Sequence, residues 1–134
     1  MSAHHARLHW QRDDARFTDG RYSRRHQWCF DGGACVPASS SPLVVPLPCS
    51  DASAVDPEEA FVAAIASCHL LWFLSLAAEA GWVVEAYEDE AEGRLGRDET
   101  GRLAMREVCL RPRVRFAGTA DRKSTRLNSS HSQQ

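Results

Sequence analysis

The sequence has no strong excess of charge of either sign, and this excludes several classes of partner. Its 16 lysines and arginines are balanced by 18 aspartates and glutamates, which gives a formal net charge of −2 at pH 7. A protein with this balance has no general electrostatic attraction to nucleic acid phosphates or to an anionic membrane surface. We therefore expect neither nucleic acid nor a membrane among its partners.

An apolar leader and a regular cysteine pattern are also missing. The first residues, MSAHHARLHWQRDD, contain no apolar segment typical of a secretory signal. The odd number of cysteines is unevenly spaced, and these residues are Cys29, Cys35, Cys49, Cys68 and Cys109. The pattern predicts a cytoplasmic protein with reduced thiols, and the lack of a second close Cys/His pair argues against a zinc site.

The N-terminal part has the alternation of β-strands. In RYSRRHQWCF the aromatic side chains share one face, and they are Tyr22, Trp28 and Phe30. Arg24 belongs to that inward face, whereas Arg25 points to the opposite side. A shorter strand is predicted upstream in ARLHWQR (6–12). The proline-rich stretch 37–54 predicts a loop or an edge strand.

The clearest predicted element is a long helix over residues 57–80. Asp56 is a suitable N-cap, Pro57 suits the first helical position, and Glu59 completes a capping box. Gly81 is the expected end of the helix. The helix is apolar on nearly every side, but its acidic flanks favour a core helix or a subunit interface over a membrane span.

A β-hairpin is predicted after the helix, with RDETG (97–101) as its turn. The apolar alternate residues of its second strand are expected to be buried, and they are Val108, Leu110, Pro112, Val114 and Phe116. Between them, Arg111, Arg113 and Arg115 form a basic row. The first strand is rich in acidic residues, so we expect the charges to pair across the hairpin rather than to bind nucleic acid.

Within the helix, Cys68 and His69 stand side by side in an apolar run. Neighbouring helical residues point about 100° apart, so adjacency does not make these two a catalytic dyad. A cysteine among apolar side chains is most often an inert core residue. A reactive thiolate here needs a cation from another element, and the candidate is Arg24, held in turn by Glu58 or Glu59.

The stretch VDPEEAFVAAIASCHLLWFLSLAAEAG resembles the signature of the OsmC/Ohr family of thiol-dependent organic hydroperoxide reductases, in its OsmC-like branch. YSRRHQWCFDGG, YEDEAEGRLGRDETGRLAM and VCLRPRVRF resemble the same branch, so the likeness spans roughly residues 4–118. The resemblance implies an α+β fold in which bent antiparallel sheets surround a long central helix. It also implies an intertwined homodimer with active sites at the interface.

The resemblance assigns roles to three residues. It implies that Cys68 attacks the O–O bond of an organic or fatty-acid hydroperoxide, releases an alcohol and becomes a sulfenic acid. Glu58 corresponds to the family's glutamate after the proline. Arg24, or Arg25 as the alternative, corresponds to the arginine that stabilises the thiolate. No bound cofactor is implied, and an external dithiol, typically a dihydrolipoyl group on a lipoylated protein, restores the thiol.

The C-terminal part departs from the family pattern. Relatives carry a second, resolving cysteine on a C-terminal helix, whereas residues 117–134 contain none. We expect residues 1–120 to form an OsmC-like domain that is incomplete at its C-terminus. The stretch 121–134, DRKSTRLNSSHSQQ, resembles a translated sequencing adapter and is predicted to be a non-native tail. The loss of the resolving cysteine would impair turnover, and an uncovered helix 57–80 predicts poor stability.

Three interpretations of Cys68 follow from the sequence. The leading one is a thiol-dependent peroxidase of stress response or detoxification. The alternative is a non-catalytic OsmC-like domain that binds a small hydrophobic ligand in the same apolar environment. In the third, Cys68 only fills a core.

Overall fold

The computed structural model describes residues 1–118, 125–126 and 129–131. One long helix and several small antiparallel sheets make it an α+β protein, which confirms the predicted fold class. The chain divides into two compact units, Met1–Ala60 and Phe61–Gln134.

The first unit contains one antiparallel sheet of three strands in the order β1-β2-β3. The strands are β1 (Arg7–His9), β2 (His26–Cys29) and β3 (Cys35–Ala38). Both predicted N-terminal strands exist, although each is shorter than its alternating segment. Pro37 lies in β3, at the edge of the sheet, where its missing N–H breaks no ladder. The predicted loop or edge segment is therefore confirmed, since residues 37–38 end the edge strand and residues 39–54 contain no strand.

Cys29 and Cys35 lie directly opposite each other in the β2–β3 pair and are joined by a disulfide. Their Cα atoms are 4.2 Å apart. The prediction that all thiols are free is therefore wrong for these two, because the hairpin register brings together residues whose sequence spacing matches no regular pattern. Cys49, Cys68 and Cys109 are free.

The long helix, α1, spans Pro57–Glu79 and ends one residue earlier than predicted. Its N-terminus has the predicted capping box. The backbone N–H of Glu59 donates to Asp56 Oδ1 (2.8 Å), and the N–H of Asp56 donates to Glu59 Oε1 (2.9 Å). Gly81 follows the helix with a φ of 84°, the left-handed conformation that glycine adopts without a steric penalty.

The second unit contains two antiparallel sheets of three strands each. The first, in the order β4-β7-β8, consists of Val84–Asp89, Pro112–Phe116 and Thr125–Arg126. The second, in the order β5-β6-β9, consists of Glu92–Arg97, Leu103–Leu110 and Ser129–His131. Strands β8 and β9 fall within the stretch predicted to be a non-native tail, and the remainder of 121–134 lies outside the described residues.

The predicted hairpin is confirmed over its length: β5 pairs with β6 next to the turn, and β4 pairs with β7 farther from it. Both strands are interrupted, the second one at Arg111, and the pairing resumes in the same register, since Glu92 lies opposite Cys109 and Asp89 lies opposite Pro112. The interruption has a local cause. Pro112 has no N–H to donate to a neighbouring strand, and the N–H of Arg111 donates to the side chain of Asp89, at Oδ1 (2.8 Å), instead of to a strand carbonyl. Asp98 stabilises the turn between β5 and β6, where its Oδ1 accepts hydrogen bonds from Thr100 and the N–H of Arg102.

The predicted core of the second unit is largely confirmed. The fully buried residues include Val108, Leu110, Pro112 and Val114, whereas Phe116 is half-buried. The predicted charge pairing is confirmed at Arg111, and the strand register also places Arg113 opposite an acidic residue. Arg113 lies opposite Glu88 in the β4–β7 register, and Arg111 Nη2 is 3.8 Å from Glu92 Oε1.

Helix α1 packs closely on the β5–β6 sheet at Gly93. A Cβ atom at this position would overlap Val62 Cγ2 of the helix and would lie 2.9 Å from Met105 Sδ. Gly93 is therefore required by the close approach of helix and strand rather than by backbone conformation.

We predict that Gly93→Ala destabilises the protein by about 1–3 kcal/mol, because the added methyl group forces the helix and sheet apart. Gly96→Ala, on the same strand, is the matched control, since its Cβ would meet only the Arg106 side chain, at 3.1 Å. Urea denaturation followed by circular dichroism measures both effects. Val62→Ala combined with Gly93→Ala should cost less than the sum of the two single changes, and strict additivity would contradict the proposed contact.

Candidate active site

Cys68 lies in the middle of α1 and is exposed to solvent. It lines an open groove of about 420 Å³, the Cys68 groove, whose other walls are Phe61, Ala64, Ile65, His69 and Trp72. Apart from the thiol and the imidazole, these walls are apolar. Phe61, Ala64, Ile65 and Trp72 lie three, four or seven positions from Cys68 and therefore share its face of the helix.

Within the described chain, most of α1 is not covered by other residues. Only Ala77 is buried among its residues, and the exposed fraction is 62% for Leu71 and 69% for Trp72. The interpretation of Cys68 as a core residue is therefore wrong for the single chain. The helix has the length and composition of a membrane span, but its first turn carries Glu58 and Glu59, and membrane flanks favour basic residues.

His69 contacts strand β4 of the second unit, whereas Cys68 is exposed to solvent. Its Nδ1 lies 2.8 Å from Tyr87 Oη on β4, and the Tyr87 ring also contacts Phe73 one turn further along the helix, at 5.7 Å between centroids. Desolvation, followed by the nearby charge of Asp89, raises the pKa of Tyr87 above its ordinary value. The hydrogen bond of His69 to Tyr87, rather than to a thiol, agrees with the prediction that Cys68 and His69 are not a dyad.

Tyr87 was not predicted as a site residue. Its alternation in the strand VEAYED indicates an inward position, but no sequence pattern links it to a histidine 18 residues earlier. The pairing depends on how α1 lies on β4, and this only the folded structure reveals.

Arg24, the predicted thiolate partner, lies in the first unit and is half-buried, as its strand parity predicts. Its Nη1 donates to the carbonyl oxygens of Gly20 (2.7 Å) and Tyr22 (2.6 Å). The guanidinium carbon lies 3.7 Å from the centre of the Tyr22 ring, which is a cation–π contact. The expectation that Glu58 or Glu59 holds this arginine is wrong, because backbone carbonyls and an aromatic ring occupy that role instead.

Arg25, the alternative, is exposed and forms an ion pair with Asp51. Hydrogen bonds from Ser53, followed by the charge of Arg25, lower the pKa of Asp51 below its ordinary value. Arg25 therefore already has a carboxylate partner within the first unit.

Glu58 is half-buried in the first turn of α1, ten residues before Cys68 on the same helix. Cys109, the cysteine closest to the C-terminus, is half-buried on β6 with Glu92 as its cross-strand neighbour. Among the described residues, no group of three or more His, Cys, Asp and Glu side chains is arranged to hold a metal ion.

Comparisons with known proteins place this arrangement in a family. The family model described as OsmC-like protein matches residues 50–131, a range that includes all of α1. The structure of an OsmC-like protein of unknown function from Vibrio cholerae O1 biovar eltor superposes with a TM-score of 0.86 at 52% sequence identity. The match covers 92% of this chain and 80% of that one. No curated protein matched the chain. The chain therefore belongs to the OsmC-like family.

Proposed function

We propose that the protein is a thiol-dependent peroxidase that reduces organic or fatty-acid hydroperoxides to alcohols through Cys68. The observation that carries this proposal is a solvent-exposed cysteine in the wall of an apolar groove. The thiol is within reach of a peroxide, and the apolar walls of the groove suit an alkyl chain rather than hydrogen peroxide. Each CH₂ group buried there contributes about 0.8 kcal/mol to binding.

In the proposed reaction the Cys68 thiolate attacks the distal oxygen of the hydroperoxide. An S–O bond forms, the O–O bond breaks, and the alkoxide leaves as an alcohol once it is protonated, while the sulfur is oxidised to a sulfenic acid. A thiol of an external dithiol then forms a mixed disulfide with Cys68 and releases water. Its second thiol attacks that disulfide and restores Cys68. A dihydrolipoyl group on a partner protein is the reductant that we propose.

Arg24 and Glu58 complete the proposed machinery. The side chain of Arg24 is rigidly held by two carbonyl oxygens and the Tyr22 ring, and such preorganisation suits a cation that stabilises a thiolate. Glu58 occupies the first turn of the helix that carries Cys68. Arg24→Ala and Glu58→Gln are expected to slow the oxidation of Cys68, which single-turnover kinetics would measure. Unchanged rates would remove both residues from the proposal.

We predict that Cys68→Ser abolishes sulfenic acid formation when the protein meets stoichiometric linoleic acid hydroperoxide, because the attacking sulfur is lost. Cys109→Ser, on β6, should leave the reaction unchanged. The readout is a sulfenic-acid-specific label located by mass spectrometry. The wild type should react roughly tenfold or more faster with linoleic acid hydroperoxide than with hydrogen peroxide, since burial of two or more CH₂ groups in the groove is enough for that difference.

The same experiment tests the second candidate function, a non-catalytic domain that binds a small hydrophobic ligand. The apolar walls of the Cys68 groove favour this alternative as much as they favour a peroxidase. Labelling of Cys68 that is no faster than labelling of Cys109 would contradict the peroxidase and support the binding domain.

We also propose that the protein functions as a homodimer in which a second copy covers α1. The support is the large apolar surface that α1 presents, with exposed fractions of 62% for Leu71 and 57% for Leu76. Monomeric soluble proteins rarely expose contiguous apolar patches of this kind.

We predict that Leu71→Glu converts a dimer into a monomer in sedimentation velocity experiments, because a charge would be buried without a partner at the interface. Leu71 does not line the Cys68 groove, so the substitution separates assembly from substrate contact. Leu103→Glu, at a 55% exposed position on β6, is the matched control and should leave the dimer intact. A wild-type monomer at all accessible concentrations would contradict the proposal.

The cytoplasm is the proposed compartment, since dithiol reductants are available there. We predict that the Cys29–Cys35 disulfide is reduced in intact cells, because cytoplasmic reductants keep most protein thiols in that state. Acid quenching followed by alkylation and mass spectrometry measures its redox state. A disulfide that stays fully formed under these conditions would instead indicate an oxidising compartment.

A further inference from the structure

The imidazole of His69 lies between the Cys68 groove and the sheet beneath α1. On one side the residue lines the groove together with Cys68. On the other side its Nδ1 is 2.8 Å from Tyr87 Oη. Since Tyr87 occupies Nδ1, Nε2 is the nitrogen that remains for a molecule bound in the groove.

The hydrogen bond to Tyr87 links the tautomer of His69 to the phenol, because Nδ1 accepts a proton donor only when the ring proton is on Nε2. A phenol donates readily to an imidazole nitrogen, and desolvation together with the charge of Asp89 raises the pKa of Tyr87, so its proton stays on the oxygen. When Nδ1 accepts this bond, neutral His69 carries its proton on Nε2. The Tyr87 ring is itself fixed by its contact with Phe73, which also contacts Phe116, at 6.3 Å between ring centroids.

We infer that His69 is a second catalytic residue, which donates its Nε2 proton to the alkoxide released from the hydroperoxide, and that Tyr87 is the positioning residue that makes it a donor. This inference rests on the proposed peroxidase function. It also gives a role to the Cys-His pair: the two side chains do not bond to each other but act on the two oxygens of one substrate.

In the proposed reaction the sulfur is oxidised, the hydroperoxide is reduced and His69 supplies one proton. The Cys68 thiolate forms the S–O bond with the distal oxygen, and the electron pair of the broken O–O bond remains on the proximal oxygen. That oxygen takes the Nε2 proton of His69, and Nδ1 takes the phenolic proton of Tyr87. Water then protonates Nε2, and Nδ1 returns its proton to the Tyr87 oxygen, which restores the first tautomer. The products are the sulfenic acid, the alcohol and hydroxide.

The leaving group gives a specific test. An alkyl hydroperoxide expels a strongly basic alkoxide and needs a proton, whereas perbenzoic acid expels a weakly basic carboxylate and does not. Iodoacetamide alkylates the same sulfur without breaking an O–O bond. The initial rate of modification of Cys68 in the full chain is measured with linoleic acid hydroperoxide, perbenzoic acid and iodoacetamide.

We predict that His69→Gln slows the reaction with linoleic acid hydroperoxide by about 10²–10⁴-fold, the usual contribution of a general acid. The same variant should react with perbenzoic acid and iodoacetamide at nearly the wild-type rates. Tyr87→Phe should give the same selective pattern with a smaller loss, because the ring keeps its place but loses its fixed tautomer. Cys109→Ser, on β6 and outside the lining of the groove, is the control and should not discriminate between the two peroxides.

Two results would overturn the inference while leaving the peroxidase proposal intact. In the first, His69→Gln reduces linoleic acid hydroperoxide as fast as the wild type. In the second, His69→Gln lowers the rate of Cys68 modification equally for all three reagents, which indicates a structural role. A wild type that reacts with iodoacetamide but with neither peroxide would overturn the peroxidase proposal and this inference together.

Discussion

The one-sided packing of α1 is the constraint on which the candidate site depends. The helix contacts the sheets of the second unit through Val62, His69 and Phe73, and these positions recur at intervals that keep them on one side of a helix. The close approach at Gly93 holds that side firmly. The opposite side, with Cys68, is thereby left open along a well-anchored backbone, so a reactive group there is both accessible and fixed in position.

This arrangement places two opposing physical demands on the same groove. Apolar walls favour an alkyl chain, but they disfavour the charged sulfur and the charged oxygen that the proposed chemistry requires. Besides the thiol, the groove contains one polar side chain, the imidazole of His69, which is hydrogen-bonded to the phenol of Tyr87. A groove with few polar groups needs each of them to be well oriented, and the contact of His69 with Tyr87 provides that orientation.

Local patterns in the sequence were sufficient for much of the fold. The capping box at Asp56, the edge strand and the inward side of Arg24 depend on residues that lie close together in the chain, and the structure confirms each of them. Pairings between distant elements were not predictable in this way. The disulfide at Cys29 depends on strand register and the Tyr87 contact on the placement of a helix. A helix that is apolar on all sides carries no signal of which face will be covered.

The break at Arg111 has a consequence for how this part of the chain tolerates change. Here the backbone leaves one sheet and enters the other without an intervening loop. Only Arg111 lies between β6 and β7, so the connection cannot absorb an extra residue. A single inserted residue would shift the alternation of β7, turning Val114 outward and Arg113 inward. Length variation is therefore restricted to the turns, such as the one at Asp98. The junction at Arg111 determines which side chains of β6 and β7 point into the core.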